Sequence, residues 1–471
     1  MTMKTRLIAA ALAAALAPLS FAAGEAKNVI FFLGDGMGPV TTTAARIWKY
    51  KEEGSLTMDT LPYTARVKTY SLDAQTTDSA PSMAAYMTGV KTRNDVLSMN
   101  GDTFAKAPGK DPVTNVSNAV TQCPASGNGA PSTTLLELAI ARGQATGVVS
   151  TARLTHATPA ATYAHSCHRD AEYEIARQAV PGGAGFNSAL GSGVDVLLGG
   201  ISGYWRPYNA ATTPRGRPDG RNLVAELQAQ GYHFVNDLGS LNAAPTGAGS
   251  KLIGLFDQAL SQGHMSYELD RNPHLEPSLA QMTTKTIDIL AKNPKGFFLM
   301  VEGGRIDHAL HGTNAARALA DTIAFDDAIQ AAIAKVKSFD PDLSNTLIVV
   351  TADHDHTMAF NGYGKRGSDP LGLSVNYANG APNTDVNGNS YTTLVFGNGS
   401  NRPATRGPLD AATVTAKDYL QEVAIRKGGP GSETHGGGDV MLFAAGAGAR
   451  TFKGTIDNTR VFGLVKTAAG Y

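Results

Sequence analysis

The chain has 471 residues, and its 40 Lys+Arg are balanced by 40 Asp+Glu, giving a formal net charge of zero. That balance argues against a nucleic-acid or anionic-membrane partner, both of which are held by basic patches. Length alone suggests two or three domains, but large α/β enzymes often fold on one sheet, and 52 glycines favour many tight loops.

At the N-terminus, Lys4 and Arg6 precede an apolar run from Leu7 to about Pro18, then Ser20-Phe21-Ala22 before Ala23. This is the pattern of a secretory signal peptide over residues 1–22, followed by one domain over 23–471. A membrane anchor would need roughly 20 apolar residues, and the run is shorter. Export brings an oxidising compartment, so Cys123 and Cys167 are predicted to pair, the alternative being two buried free thiols. Neither has C-x-x-C spacing.

Short apolar or β-branched runs are predicted as strands at Asn28–Leu33, Thr146–Ser150, Val194–Leu198, Gly296–Val301 and Thr346–Thr351. Helical spacing of apolar residues recurs at Leu135–Arg142, Leu223–Gln230, Leu279–Lys292 and Ala315–Lys337. The alternation predicts an α/β fold with a largely parallel central sheet flanked by helices. No internal repeat is visible. Residues 361–390, rich in Gly, Asn and Asp, read as an irregular loop insertion over the site entrance or a dimer face.

Several strands are followed at once by metal-type ligands: Asp35 in GDGMG, Glu302 in VEGGRIDHALH, and Asp353 with His354 in TADHDH. The strand at Thr146 runs on into Thr155-His156-Ala157-Thr158. In open α/β sheets, ligands gather at the carboxyl ends of strands, so these residues are predicted to share one crevice. Asp307 and His311, four apart, fall on one helical face, whereas His308 points elsewhere on that turn. His435 lies in a glycine-rich loop. Any one of these could be a cap or a solvated ion pair, but together they suit zinc, favoured by imidazole, with a harder ion such as magnesium.

In TDSAPSMAAYMTG, Ser79 is either an ordinary helix start or a nucleophile. A paired-metal crevice decides for the nucleophile, provided the helix start faces it, because a metal can lower the hydroxyl pKa without a histidine base.

The ordered set GDGMG, TDSA, ATPA, VEGGRIDH, TADHDH and ETHGG resembles the alkaline phosphatase family from Asn28 to near Val465. The resemblance implies a secreted or periplasmic homodimer that hydrolyses many phosphate monoesters through a phosphoserine at Ser79. Carried over by motif, Asp307, His311 and His435 hold one zinc, and Asp35, Asp353 and His354 a second. Asp35, Thr158 and Glu302 hold a magnesium. Arg169 matches the arginine that forks onto two phosphate oxygens. His156 and His308, near the magnesium and phosphate sites, follow the animal-type pattern, where the enteric bacterial branch has aspartate and lysine. NLVAEL, GLFDQA and LEPSL resemble segments of a calcium-type site that would use Glu226, the Phe256 carbonyl, Asp257 and Glu276, with the acid lengths at 257 and 276 swapped.

Ser79-Ala80-Pro81-Ser82 also resembles a sulfatase motif, but Met83 stands where arginine is needed. A phosphodiesterase would waste Arg169 on an esterified oxygen. A non-catalytic zinc-binding protein would explain the ligands but not Ser79 and Arg169.

Overall fold

The computed structural model describes residues 26–256 and 263–471. The predicted signal peptide, residues 1–22, and Asp257 lie outside the described residues.

The frame is a ten-stranded sheet. It contains β1 (Asn28–Gly34), β2 (Tyr63–Lys68), β3 (Ala145–Arg153), β4 (Val196–Gly200), β5 (Tyr232–Val235), β6 (Lys251–Phe256), β7 (Phe297–Gly303), β8 (Thr346–Ala352), and two later strands, Val440–Gly446 and Gly454–Asp457. The spatial order is Gly454–Asp457, β2, Val440–Gly446, β8, β1, β7, β3, β4, β6, β5. Within this sheet, Val440–Gly446 alone runs against its neighbours, β2 and β8. Every residue of β1, β7 and β8 is buried. These strands therefore read as continuous apolar runs, as expected where helices cover both faces of a parallel sheet.

Successive side chains on a strand point to opposite faces, and β1 uses this to hold two helices. Phe31 packs on Tyr86 of the helix Ser79–Thr88, with ring centroids 5.7 Å apart, and Phe32 meets Phe325 of the helix Ala315–Lys337 edge-on at 5.9 Å. Tyr86 also donates its hydroxyl to the Ala352 carbonyl at 2.8 Å, tying its helix to the end of β8.

The five predicted strands are present as β1, β3, β4, β7 and β8, each displaced or extended at its ends by a few residues. The four predicted helices form as Leu135–Ala141, Leu223–Ala229, Leu279–Leu290 and Ala315–Lys337. Local chemistry starts them: Thr134 with Glu137 and Ser278 with Gln281 form capping boxes, and Asn222 and Asn314 accept from the first-turn amides. Strands β2, β5, β6 and the last two were not anticipated. β2 is half exposed and alternating, so its strand character depends on pairing with Val440–Gly446 rather than on propensity.

Residues 361–390 contain no regular helix or strand, only isolated bridges such as Val375 to Pro382. The segment is fastened beyond the helix Pro39–Tyr50, where the Gly367 amide donates to Glu52 at 2.8 Å and Arg366 pairs with Glu53. Cys123 and Cys167 form a disulfide, with Cα atoms 5.6 Å apart, two residues before Arg169.

Candidate active site

The site is built by register. Gly34 of β1 lies opposite both Gly303 of β7 and Ala352 of β8, and Glu302 lies opposite both Leu33 and Ser150. The three strands therefore end level, delivering Asp35, Glu302 and Asp353 to one edge. Gly36 makes this edge close: its φ of +66° favours glycine, and a Cβ there would lie 2.5 Å from the His356 ring. The helix Ser79–Thr88 points its first residue at the same edge. Asp78, not Ser79, is its cap, accepting from the Ala80 amide at 3.2 Å, so the Ser79 hydroxyl is left for other partners. Ser79 Oγ lies 3.4 Å from Asp35 Oδ1 and 3.2 Å from His354 Nε2.

Three groups of metal-type ligands converge here: Asp307, His311, His356 and His435; Asp35, Asp307 and His354; and Asp35, His156 and Glu302. Shared Asp307 and Asp35 chain them into one centre. In the first group, Asp307 Oδ1 lies 3.2 Å from His311 Nε2, 2.9 Å from His356 Nε2 and 3.6 Å from His435 Nε2. In the second, His354 Nε2 lies 3.3 Å from both Asp35 Oδ1 and Asp353 Oδ2. In the third, Thr158 Oγ1 donates to Asp35 Oδ2 at 3.4 Å, and Ser150 holds Glu302 Oε2. The rings are aimed from behind. Nδ1 of His311, His354 and His435 donates to the carbonyls of Glu433, Asp355 and Thr77 at 2.6, 3.2 and 2.8 Å, leaving each Nε2 lone pair toward the centre.

Carboxylates so crowded and buried fit a cation. Burial, then the neighbouring Asp307 and Glu302, hold Asp35 well above the usual carboxylate range. Burial and Asp35 push Asp353 up to about 8, and burial pushes Glu302 to about 8 as well. Asp307 differs: burial would raise it, but His311 and His356 hold it well below its ordinary value. Glu302 Oε1 and Asp353 Oδ2 are buried without a hydrogen-bond partner. A divalent cation supplies the compensation that the chain itself does not.

Arg169 sits at the rim of this centre, ion-paired with Asp78, with Nη2 3.0 Å from His156 Nε2. Asp78 thus caps the helix that Ser79 begins and orients the guanidinium. His308 enters none of the ligand groups; its ring packs 5.1 Å from His156 and 4.0 Å from His264.

Of the calcium-type set, Asp257 lies outside the described residues, and the other three are placed as follows. Both Glu226 oxygens are taken by Arg221, at 3.0 and 2.5 Å, and buried Glu276 accepts from the Ser266 amide at 2.8 Å. Phe256 closes β6 as a buried core ring. No group of three carboxylate or imidazole ligands forms there among the described residues.

His356, Glu433, Asp78 and Ser150 were not anticipated. His356 had a signal, since His354 and His356 alternate and so project to one side of an extended segment. Glu433 and Ser150 act through contacts across the fold, which spacing does not carry, and so does Asp78 toward Arg169, although its cap on Ala80 is local.

The family model for alkaline phosphatase matches residues 26–471. The chain is 36% identical over 460 residues to the alkaline phosphatase of Gadus morhua, covering 91% of this chain and 89% of that protein. It is 37% identical to the tissue-nonspecific isozyme of Gallus gallus, over 91% and 82%. Among solved structures, Thermus thermophilus alkaline phosphatase superposes with a TM-score of 0.66 at 25% identity, covering 95% of this chain and 92% of that one. With its parallel sheet, its serine at a helix start and its buried metal-type ligands, the chain belongs to the alkaline phosphatase family of metal-dependent phosphate-monoester hydrolases.

Proposed function

We propose that Ser79 is the nucleophile of phosphate-monoester hydrolysis, and that the observation carrying this is the placement of its Oγ against Asp35 and His354 at a helix N-terminus. In this reading Asp307, His311 and His435 hold one zinc, with His356 beside them; Asp35, Asp353 and His354 hold a second; and Asp35, Thr158 and Glu302 hold magnesium. Calcium is left out of the set, because Glu226 is engaged by Arg221. The ions, when bound, supply Lewis acidity at the phosphoryl oxygens and lower the pKa of the serine hydroxyl.

The chain's own residues do the rest. Arg169, fixed by Asp78, offers two parallel N–H donors to the non-bridging oxygens, which selects a monoester over a diester. Ser79 Oγ forms a bond to phosphorus as the ester oxygen leaves with a proton as the alcohol. Water then attacks phosphorus, the Ser79 ester bond breaks, and inorganic phosphate departs. The positive dipole end of the helix that Ser79 begins favours the charged phosphoseryl group. The substrates are small phosphate monoesters of broad structure.

The chain is further proposed to act as a homodimer, as the family resemblance implies, and to work in the periplasm or outside the cell, a location supported by the signal-peptide pattern of residues 1–22 and the disulfide. No helix among the described residues is long and apolar enough to cross a membrane. The deciding experiment is hydrolysis of p-nitrophenyl phosphate at alkaline pH, with and without chelation, beside the matching sulfate and bis-ester. Sulfate or diester turnover equal to that of the monoester would overturn the proposal. Mass spectrometry of the exported protein should give a chain starting near Ala23.

A further inference from the structure

Three imidazoles of the centre rest their Nδ1 on backbone carbonyls, but His356 does not. Its Nδ1 donates to the Glu433 carboxylate, Oε2, at 2.7 Å, while its Nε2 faces Asp307 Oδ1 at 2.9 Å. The same residue serves a second ring, since the Glu433 carbonyl accepts from His311 Nδ1 at 2.6 Å. Glu433 is itself pinned. Its Oε1 accepts from the Thr357 amide at 2.9 Å and from the Thr357 hydroxyl at 2.5 Å, its amide donates to the His311 carbonyl at 3.3 Å, and its side chain is fully buried. Two residues on, His435 pairs with His356 as the bridge of a two-stranded ladder.

We propose that Glu433 is a positioning residue for the Asp307–His311–His356–His435 centre, setting the tautomer and aim of two rings from a single buried side chain and carbonyl. It touches neither substrate nor Ser79 in this role. It acts as the outer-shell carboxylate of a carboxylate–histidine–metal arrangement, in which loss of the partner typically weakens metal binding by about 10- to 100-fold. Thr357 supports it, because an acceptor held by two donors does not turn away from His356. The inference rests on the metal-dependent reading above.

The test is zinc competition against a chromogenic chelator, with the whole chain stripped and reloaded, in the parent, Glu433→Gln and Glu433→Ala. Glu433→Gln keeps the volume and the backbone carbonyl but loses the anionic acceptor, so zinc affinity should fall by about 10-fold, and further toward 100-fold in Glu433→Ala. Stripped Glu433→Gln should still unfold in one cooperative transition, at a midpoint lowered by loss of the buried Glu433–His356 pair. Its magnesium titration should match that of the parent, because Asp35, His156 and Glu302 do not contact Glu433. A visible spectrum of the cobalt-loaded protein should change in Glu433→Gln, a signal that mere space-filling would leave alone. Parent-like zinc affinity and an unchanged cobalt spectrum in Glu433→Gln would overturn the inference. If the parent itself held no zinc against the chelator, the metal reading of the site would fall first.

Discussion

Stripping the metals should turn the centre from a stabilising feature into a pH-dependent liability. Asp353 and Glu302, whose ordinary values are 3.8 and 4.5, are both pushed up to about 8 in the folded chain, chiefly by burial. Between those values the folded chain keeps protons that the unfolded chain has released, so stability falls as pH rises toward 8. With a folded value near 8, each carboxyl loses about 2 kcal/mol of stability between pH 6.5 and 9, at about 1.36 kcal/mol per pKa unit. His356 pushes the same way over this window. Burial opposes its charge, but Glu433 and Asp307 outweigh that and raise it to about 10, so the folded ring stays protonated while the unfolded ring does not. Rings that burial keeps neutral, such as His156 and His435, oppose this trend only below about pH 6.5, where the unfolded imidazole takes up its proton. The assay is guanidinium unfolding followed by circular dichroism, at steps from pH 6.5 to 9, with chelator and with zinc plus magnesium. The stripped protein should lose several kcal/mol over this range and the loaded protein far less, because a bound cation keeps the folded carboxylates ionised. Parallel curves for the two forms would refute the reasoning.

Ser79→Ala removes the attacking hydroxyl but none of the proposed ligands, so turnover should drop by about 1000-fold or more with zinc content nearly intact. Wild-type turnover, or labelled phosphate trapped at acid pH on another residue, would contradict the assignment. Arg169→Ala should weaken inhibition by phosphate and cost the monoester reaction more than the diester one, since each charge-assisted bond is worth about 1.5–3 kcal/mol. Equal losses for the two ester classes would remove the guanidinium from phosphate recognition. His156→Asp places a carboxylate where a neutral ring now stands in the Asp35–His156–Glu302 group, and should tighten magnesium binding while slowing turnover through slower phosphate release. Superimposable magnesium-activation curves for the two proteins would show that His156 does not tune that site.

Much of this protein is written locally in its chain. The five short apolar or β-branched runs read as strands, and caps such as Thr134-x-x-Glu137 start helices wherever the chain goes next, because both depend on neighbours within a few residues. Asp35, Glu302, Asp353 and His354 were legible for the same reason: each directly follows or ends a strand, and strand ends are where a parallel sheet gathers ligands. The edge strands were not legible, since β2 takes its character from a partner about 370 residues away. Nor was the choice at Ser79 open to local reading, because cap and nucleophile look alike until Asp78 is seen to take the cap. Tertiary structure alone decided that Glu226 pairs with Arg221, and that Glu433 stands behind His311 and His356 across more than 70 residues of chain. A motif records which ligands a chain owns. Their aim is set by buried hydrogen bonds between distant segments, and those exist only once the sheet has brought its strand ends level.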